Sequence, residues 1–213
     1  MSSTTTILIT GANRGQKANH RFPVPPSTTA TNVVVLGIGH ALLATYLARP
    51  RTTVIAGVRD PNHATSRELL SLPKGSSSRL IVVKIDSASE TDAAAAVRQL
   101  QSTHNITNLE LVIANAGIAQ RHSTVADTKP AEFLEHVAVN VGGPVLLFQA
   151  VLPLLHKGSK FVTMSSSAGS IGGIELRPVP NAPYGASKAA LNYITRKAHF
   201  EHEDLIIFPI DPG

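Results

Sequence analysis

The sequence predicts an α/β fold in which a doubly wound parallel sheet carries helices on both faces. Three observations predict it. Short β-branched runs recur along the chain, each is apolar on both faces, and the segments between them have the lengths of helical crossovers.

The runs are, in order, Thr6 to Thr10, Thr53 to Val58, Leu80 to Ile85, Leu109 to Ala114, Lys160 to Met164 and Leu205 to Ile210. The helical stretches between them carry their own signals. Ser87-Ala88-Ser89-Glu90 offers a capping box, with hydroxyl and carboxylate satisfying free amide donors, for an Ala-rich helix running toward Gln101. After Pro130 a helix continues through Ala131 to Asn140, Gly142-Gly143-Pro144 should kink it, and Val145 to His156 resumes before Gly158 ends it. Pro183 begins a last helix that runs to about His202. Two features depart from the pattern. Gln16 to Gly37, with Pro23, Pro25, Pro26 and a Ser/Thr cluster, intervenes where a strand should turn directly into a helix. At the other end Asp211-Pro212-Gly213 follows immediately on a strand, so the sheet reads as C-terminally truncated.

With 213 residues, 43% of them hydrophobic, the chain has the material for one well-buried domain, residues 1–213, carrying the atypical insertion at 16–37. It has no cysteine, which excludes disulfides, a thiol nucleophile and cysteine metal sites and fits a reducing, cytoplasmic compartment. Met1 to Thr6 is polar and uncharged, and Ile7 to Ile9 is too short for a signal-peptide core. Val145 to Leu155 is apolar but is interrupted by Gln149 and Pro153 and is shorter than a bilayer span, so no membrane segment is expected. The formal charge of +5 comes from scattered lysines and arginines with few aromatics, which is not a nucleic-acid footprint. His199 and His202 share a helical face without a complete ligand set, so no metal is expected, and the absence of a Gly-x-Ser-x-Gly elbow excludes the common serine hydrolases.

The first strand leads into Thr10-Gly11-Ala12-Asn13-Arg14-Gly15, and Ile38-Gly39-His40-Ala41-Leu42 opens an apolar helix much later. Removing Gln16 to Gly37 in thought joins them, in frame, into Thr-Gly-Ala-Asn-Arg-Gly-Ile-Gly, as a retained intron or gene-model error would require. Such glycines allow tight turning and close backbone approach to a pyrophosphate at a helix N-terminus. Arg59 follows the second strand, where an adenosine ribose sits in this topology, and a guanidinium there suits a 2′-phosphate; Asp60 comes one residue late for the carboxylate that would favour a free 2′-hydroxyl.

Near the other end, Tyr184-Gly185-Ala186-Ser187-Lys188 places a phenol and an ammonium on one helical face, where the ammonium can favour the ionised phenol. Ser165-Ser166-Ser167-Ala168-Gly169 ends a strand at the carboxyl edge where open parallel sheets bind ligands. A phenolic acid and a hydroxyl that orients an oxygen are what carbonyl reduction needs beside a hydride donor.

These motifs resemble those of the short-chain dehydrogenase/reductase family over nearly the whole chain except Gln16 to Gly37. The resemblance implies a Rossmann-like fold and an oxidoreductase that uses NADP(H) by preference, NAD(H) being the other option, on a small-molecule carbonyl or alcohol. It implies that Tyr184 is the proton donor, that Lys188 holds the nicotinamide ribose, and that Ser166, with Ser165 or Ser167 as alternatives, binds the substrate carbonyl. Asn140 then matches the asparagine that holds a helix kink and a water linking lysine to solvent, its alternative being a helix-break residue bonded to a freed carbonyl. On the cofactor side the match assigns Gly11, Asn13, Arg14, Gly15, Ile38 and Gly39 to the phosphate loop, Arg59 or Arg14 to the 2′-phosphate and Asp86 to adenine. Asn115-Ala116-Gly117 corresponds to the element beside the cofactor and Pro212-Gly213 to a nicotinamide contact; beyond it, relatives add a last strand that often lies in a homo-oligomer interface. Leu47-Ala48-Arg49-Pro50, Val145 to Ala150 and Arg196 to Glu201 further resemble norsolorinic-acid-ketoreductase-like proteins of fungi, implying an aryl or polyketide ketone in secondary metabolism. The rival reading is a non-catalytic member of the same fold, disabled by the interrupted loop and the missing C-terminal region.

Overall fold

The computed structural model describes residues 4–13, 37–120, 123–176 and 178–213. Arg14, Gly15 and all of the expected insertion except Gly37 lie outside the described residues. Among those described, the strands are β1 (Thr5–Thr10), β2 (Thr52–Val58), β3 (Arg79–Lys84), β4 (Leu109–Ala114), β5 (Leu155–Met164) and β6 (Ile206–Ile210). They form one 6-stranded sheet in the order β3-β2-β1-β4-β5-β6, every neighbouring pair parallel. The order reverses between β1 and β4, the switch point at which a crevice opens outside the strands' carboxyl ends.

Alternation along each strand sends side chains to two helical layers. Leu8 faces one layer with Ile55, Ile81 and Phe161, and there meets α3 (Asp92–His104) and α5 (Gly143–Val151). Ile7 and Ile9 face the other with Val54, Ala56 and Val58, and meet Leu43 and Leu47 of α1 (Ile38–Leu47). The α3 helix shows why its sequence docks: Ala93, Ala96, Val97 and Leu100 recur at helical spacing and are its buried residues. Fully burying one leucine such as Leu8 contributes about 2 kcal/mol, and both faces are built from such residues. A short α2 (Ala64–Glu68) follows β2, and α6 (Ala182–Glu201) packs on β6, completing the doubly wound Rossmann-like arrangement.

Three local expectations need correction. The capping box does not form at Ser87 and Glu90. Ser89 Oγ instead accepts from the Asp92 N–H at 3.2 Å and donates to Asp92 Oδ1 at 2.8 Å, because the helix begins later than the Ala-rich run led one to expect. The helix after Pro130 is α4 (Pro130–Val137), which passes through a π turn, Ala138–Gly142, into α5 and ends in a short 3₁₀ turn at Leu154. Leu155 to Ser159, including Gly158 at φ +85°, therefore belong to β5 and not to the helix. The continuous helical run Pro130–Leu154 is long and apolar enough to cross a membrane by length and composition, contrary to the shorter segment read from sequence. Leu147, Val151 and Leu154 of this run are buried in the layer shared with α3, and its α4 part packs against α6.

The π turn has a simple cause. Pro144 has no N–H, so the Asn140 carbonyl loses its regular helical donor, and the backbone widens until the Gly143 N–H reaches the Ala138 carbonyl.

Candidate active site

At the switch point β1 ends in Gly11, which adopts φ +65° and donates its N–H to the Gly57 carbonyl at 2.9 Å. Against it sits the first turn of α1. A Cβ on Gly39 would fall 2.5 Å from the Gly11 carbonyl oxygen and 2.4 Å from Asn115 Nδ2, so no larger residue fits there without moving backbone. The two halves of the interrupted glycine motif are thus rejoined in space. The N-terminus of α1 begins at Gly37 with no side-chain cap and no acidic residue in its first turn, which suits a phosphate.

Asn115 is the brace of this corner. Its Nδ2 donates to the Thr10 carbonyl at 2.9 Å, while Thr10 Oγ1 accepts from the Asn115 and Ala116 N–H groups at 3.1 Å each. Thr10, unmarked in the sequence reading, is therefore a structural partner of the expected Asn115-Ala116-Gly117 element. Asn13 Nδ2 donates to Thr65 Oγ1 at 3.0 Å and Ser66 Oγ at 2.9 Å, which ties the loop to α2. Ile38 is exposed in the first turn of α1 and Arg59 is exposed at the end of β2. The neighbouring Asp60 is occupied within its own turn, its Oδ1 accepting from the Asn62 N–H at 2.8 Å. Asp86 behaves alike, accepting from the Ala88 N–H at 3.1 Å just beyond β3. Together these groups fit a dinucleotide laid across the sheet's carboxyl edge.

The second half of the crevice lies where β5 and β6 end. Of the three serines, Ser165 donates to Asn192 Oδ1 at 2.5 Å, and Ser167 Oγ is buried with no partner among the described residues. Ser166 is the serine whose hydroxyl bears on the Tyr184 phenol, and it caps the turn by accepting from the Ala168 N–H at 3.2 Å. This contact depends on two small residues: a Cβ on Gly169 would meet the Lys188 backbone at 2.6 Å, and one on Gly185 the Ala168 oxygen at 2.9 Å. The serine turn and α6 thus touch backbone to backbone.

Lys188 is 5% exposed, and its Nζ donates to the Met164 carbonyl at 2.7 Å and stands 5.5 Å from the Tyr184 ring centre. Burial pushes its pKa down to about 8. The phenol of Tyr184 is pushed up, first by burial and further by the Asp211 carboxylate, against the opposing hydrogen bond from Ser166. The ammonium thus stands beside the phenol, as its spacing led one to expect, while desolvation weighs on both groups and Nζ bonds the Met164 carbonyl.

Asn140, 1% exposed, sits in the π turn. Its Oδ1 accepts from the Ile118 N–H at 2.8 Å, and its Nδ2 donates to the Ile118 carbonyl and to Ser187 Oγ at 2.9 Å each. Ser187 in turn donates to the Tyr184 carbonyl at 2.7 Å. The asparagine side chain so links the loop after β4 to the helix carrying Tyr184 and Lys188, rather than bonding a freed carbonyl of its own helix. Ser187 and Asp211 are site neighbours the sequence reading missed; both stand beside singled-out residues. Pro212 and Gly213 lie just past β6 at the same edge, where the Gly213 N–H donates to Asp211 Oδ1 at 3.2 Å.

A family model described as short chain dehydrogenase matches residues 34–209. The chain belongs to the short-chain dehydrogenase family. By that membership it is an oxidoreductase acting on small molecules. This short-chain dehydrogenase is 40% identical over 217 residues to norsolorinic acid ketoreductase of Dothistroma septosporum, an alignment covering 100% of this chain and 72% of that protein. It is 38% identical over 213 residues to a short chain dehydrogenase of Penicillium aethiopicum, covering 98% and 74%. Among solved structures, NADPH-bound carbonyl reductase from chicken fatty liver is similar with a TM-score of 0.79 and 27% identity, covering 100% of this chain and 80% of that one.

Proposed function

We propose that this short-chain dehydrogenase reduces an aryl or polyketide ketone to the alcohol with NADP(H). The observation that carries the reading is the meeting of Ser166, Tyr184 and buried Lys188, whose Nζ stands 5.5 Å from the Tyr184 ring centre, at the same sheet edge as the uncapped start of α1.

Bound there, the cofactor supplies a hydride to the carbonyl carbon. Ser166 Oγ and Tyr184 Oη hold the carbonyl oxygen, and Tyr184 gives it a proton as negative charge develops. Lys188, whose Nζ stands 5.5 Å from the Tyr184 ring, would face the phenolate left behind and would hold the nicotinamide ribose. Asn140 keeps the loop after β4 and the Tyr184 helix in register. Exposed Arg59, next to an Asp60 engaged in its own turn, supports a 2′-phosphate and hence NADP(H) over NAD(H). The ketoreductase name of one relative and the NADPH named in the chicken structure point the same way.

The test is NADPH binding followed by ketone-dependent loss of its absorbance, using aromatic and polycyclic ketones against small aliphatic ones. Tyr184→Phe should abolish reduction while leaving NADPH binding largely intact, since only the acid is removed. Undiminished reduction by that variant would overturn the assignment.

A further inference from the structure

Between β4 and the start of α6 the chain borders the open side of the crevice. A Cβ on Gly117 would lie 3.7 Å from Lys188 Nζ, and farther on the Ser123 carbonyl accepts from the Ala182 N–H at 3.1 Å, two residues before Tyr184. Ala119 and Gln120 are exposed between these points. Among the described residues no backbone group bonds residues 117–120. Their anchors are two side chains: Asn140 holds the N–H and the carbonyl of Ile118, and His136 holds the N–H of Gln120.

His136 is 1% exposed, and its two ring nitrogens have fixed roles. Nδ1 lies 2.7 Å from the Glu132 carbonyl oxygen, which can only accept, so Nδ1 carries the proton. Nε2 accepts from the Gln120 N–H at 3.2 Å, so it carries none. The ring is therefore neutral. His136 in α4 and Asn140 in the π turn stand four residues apart and grip alternate residues, 118 and 120, of one exposed segment.

We propose that His136 is a positioning residue of this crevice: as the neutral Nδ1–H tautomer it pins Gln120 and thereby holds residues 118–120 as the wall against which the ketone lies. The inference rests on the reading of the crevice as a ketone site. It goes beyond that reading by assigning the position of the wall to a buried ring on α4. Asn140 fixes the end of the segment nearest Lys188, and without His136 the next two residues lose their remaining anchor to the helix.

The tautomer can be read in the ligand-free protein. The chain has 9 histidines, and His136→Gln identifies the signal of residue 136 by removing it from the ring-nitrogen NMR spectrum. At mildly alkaline pH that signal should show a protonated Nδ1 and an unprotonated Nε2; the opposite tautomer overturns the proposal. His136→Leu fills the space without an acceptor and should speed hydrogen exchange of the Gln120 amide about tenfold, whereas His136→Gln, whose Oε1 reaches about as far as Nε2, should restore its protection. In the active enzyme His136→Leu should raise the ketone KM about five- to tenfold while kcat and the NADPH Kd stay within about twofold, and His136→Gln should return KM toward the wild-type value. An unchanged KM in the leucine variant, or a loss shared equally by ketone and NADPH, overturns the assignment. Should His136→Leu fail to fold, the wild-type tautomer and the glutamine variant decide, and a Gln120 amide that exchanges freely in His136→Gln counts against the clamp. The tautomer and exchange measurements need neither cofactor nor ketone, so their failure is distinct from failure of the ketoreductase reading.

Discussion

Replacing Lys188 with methionine should make the ligand-free protein more stable while removing its activity. Lys188 is 5% exposed, and burial pushes its pKa from the ordinary 10.5 down to about 8. Each pKa unit corresponds to about 1.4 kcal/mol, so holding the charged lysine in the folded state at pH 7 costs on the order of 3 kcal/mol. Methionine matches the length of the stem and carries no charge. Against this gain stands the lost bond from Nζ to the Met164 carbonyl, which leaves that oxygen without this donor at a cost of about 1–2 kcal/mol. The net expectation for Lys188→Met is a stabilisation of about 1–2 kcal/mol at pH 7, or about 2–8 °C in Tm for a chain of this size.

The pH dependence tests the cause. A folded pKa below the unfolded one means that unfolding takes up a proton between pH 8 and 10.5, so the lysine's contribution to stability rises with pH across that window. The penalty is fully present below pH 8 and gone above 10.5. Urea unfolding of both proteins from pH 7 to 9.5 should therefore show the methionine variant's advantage shrinking by about 2 kcal/mol and changing sign on the way. A variant already less stable at pH 7, or a difference that does not respond to pH, would refute the reasoning.

Gly39→Ala should weaken NADPH binding at least tenfold and destabilise the fold by about 1–3 kcal/mol, because its Cβ would meet the Gly11 oxygen at 2.5 Å and Asn115 Nδ2 at 2.4 Å. Equilibrium unfolding and a cofactor titration measure both, and wild-type values in each would show that the two glycine segments do not touch. Arg59→Glu should weaken NADPH by about 10–100-fold, the worth of a charge-assisted pair with a phosphate, and spare NADH. Equal losses for the two cofactors would remove Arg59 from the 2′-phosphate site.

The strand order was legible because a both-face apolar run followed by a helix-length segment has few ways to bury itself, and each expected strand appears within a few residues of its place. Ends were less legible where propensity and tertiary pairing compete. Leu155 and His156 follow directly on an apolar, helix-compatible run, yet Leu155 pairs with Leu109 across the sheet and Ser159 Oγ donates to the Leu109 carbonyl at 2.8 Å. The shared face of Tyr184 and Lys188 was legible from spacing, and Ser166 and Asn140 were singled out by the family resemblance. The relation between Tyr184 and Lys188 was not, because i, i+4 spacing fixes a shared face and says nothing of which carbonyl the lysine reaches or how far each group is desolvated. Nor was the rung from the Ser167 N–H to Asp211, which forms only once β5 and β6 lie side by side.

The interrupted glycine motif separates two demands that the same residues serve. For the fold, what matters is that Gly11 and Gly39 meet, and they do, with Asn115 bridging the corner. Closing a longer connection costs only about 0.6 kcal/mol per doubling of its length. Growing from a turn of a few residues to roughly two dozen is about three doublings, or about 2 kcal/mol. The contacts along β1 and α1 bury Ile7, Ile9, Leu43 and Leu47, each worth about 2 kcal/mol, and outweigh it. For a dinucleotide the demand is different, since the pyrophosphate must reach the amides at the start of α1 through the place where the chain leaves at Asn13 and returns at Gly37. Stability is thus nearly indifferent to what joins those two points, and cofactor affinity is the property that registers it.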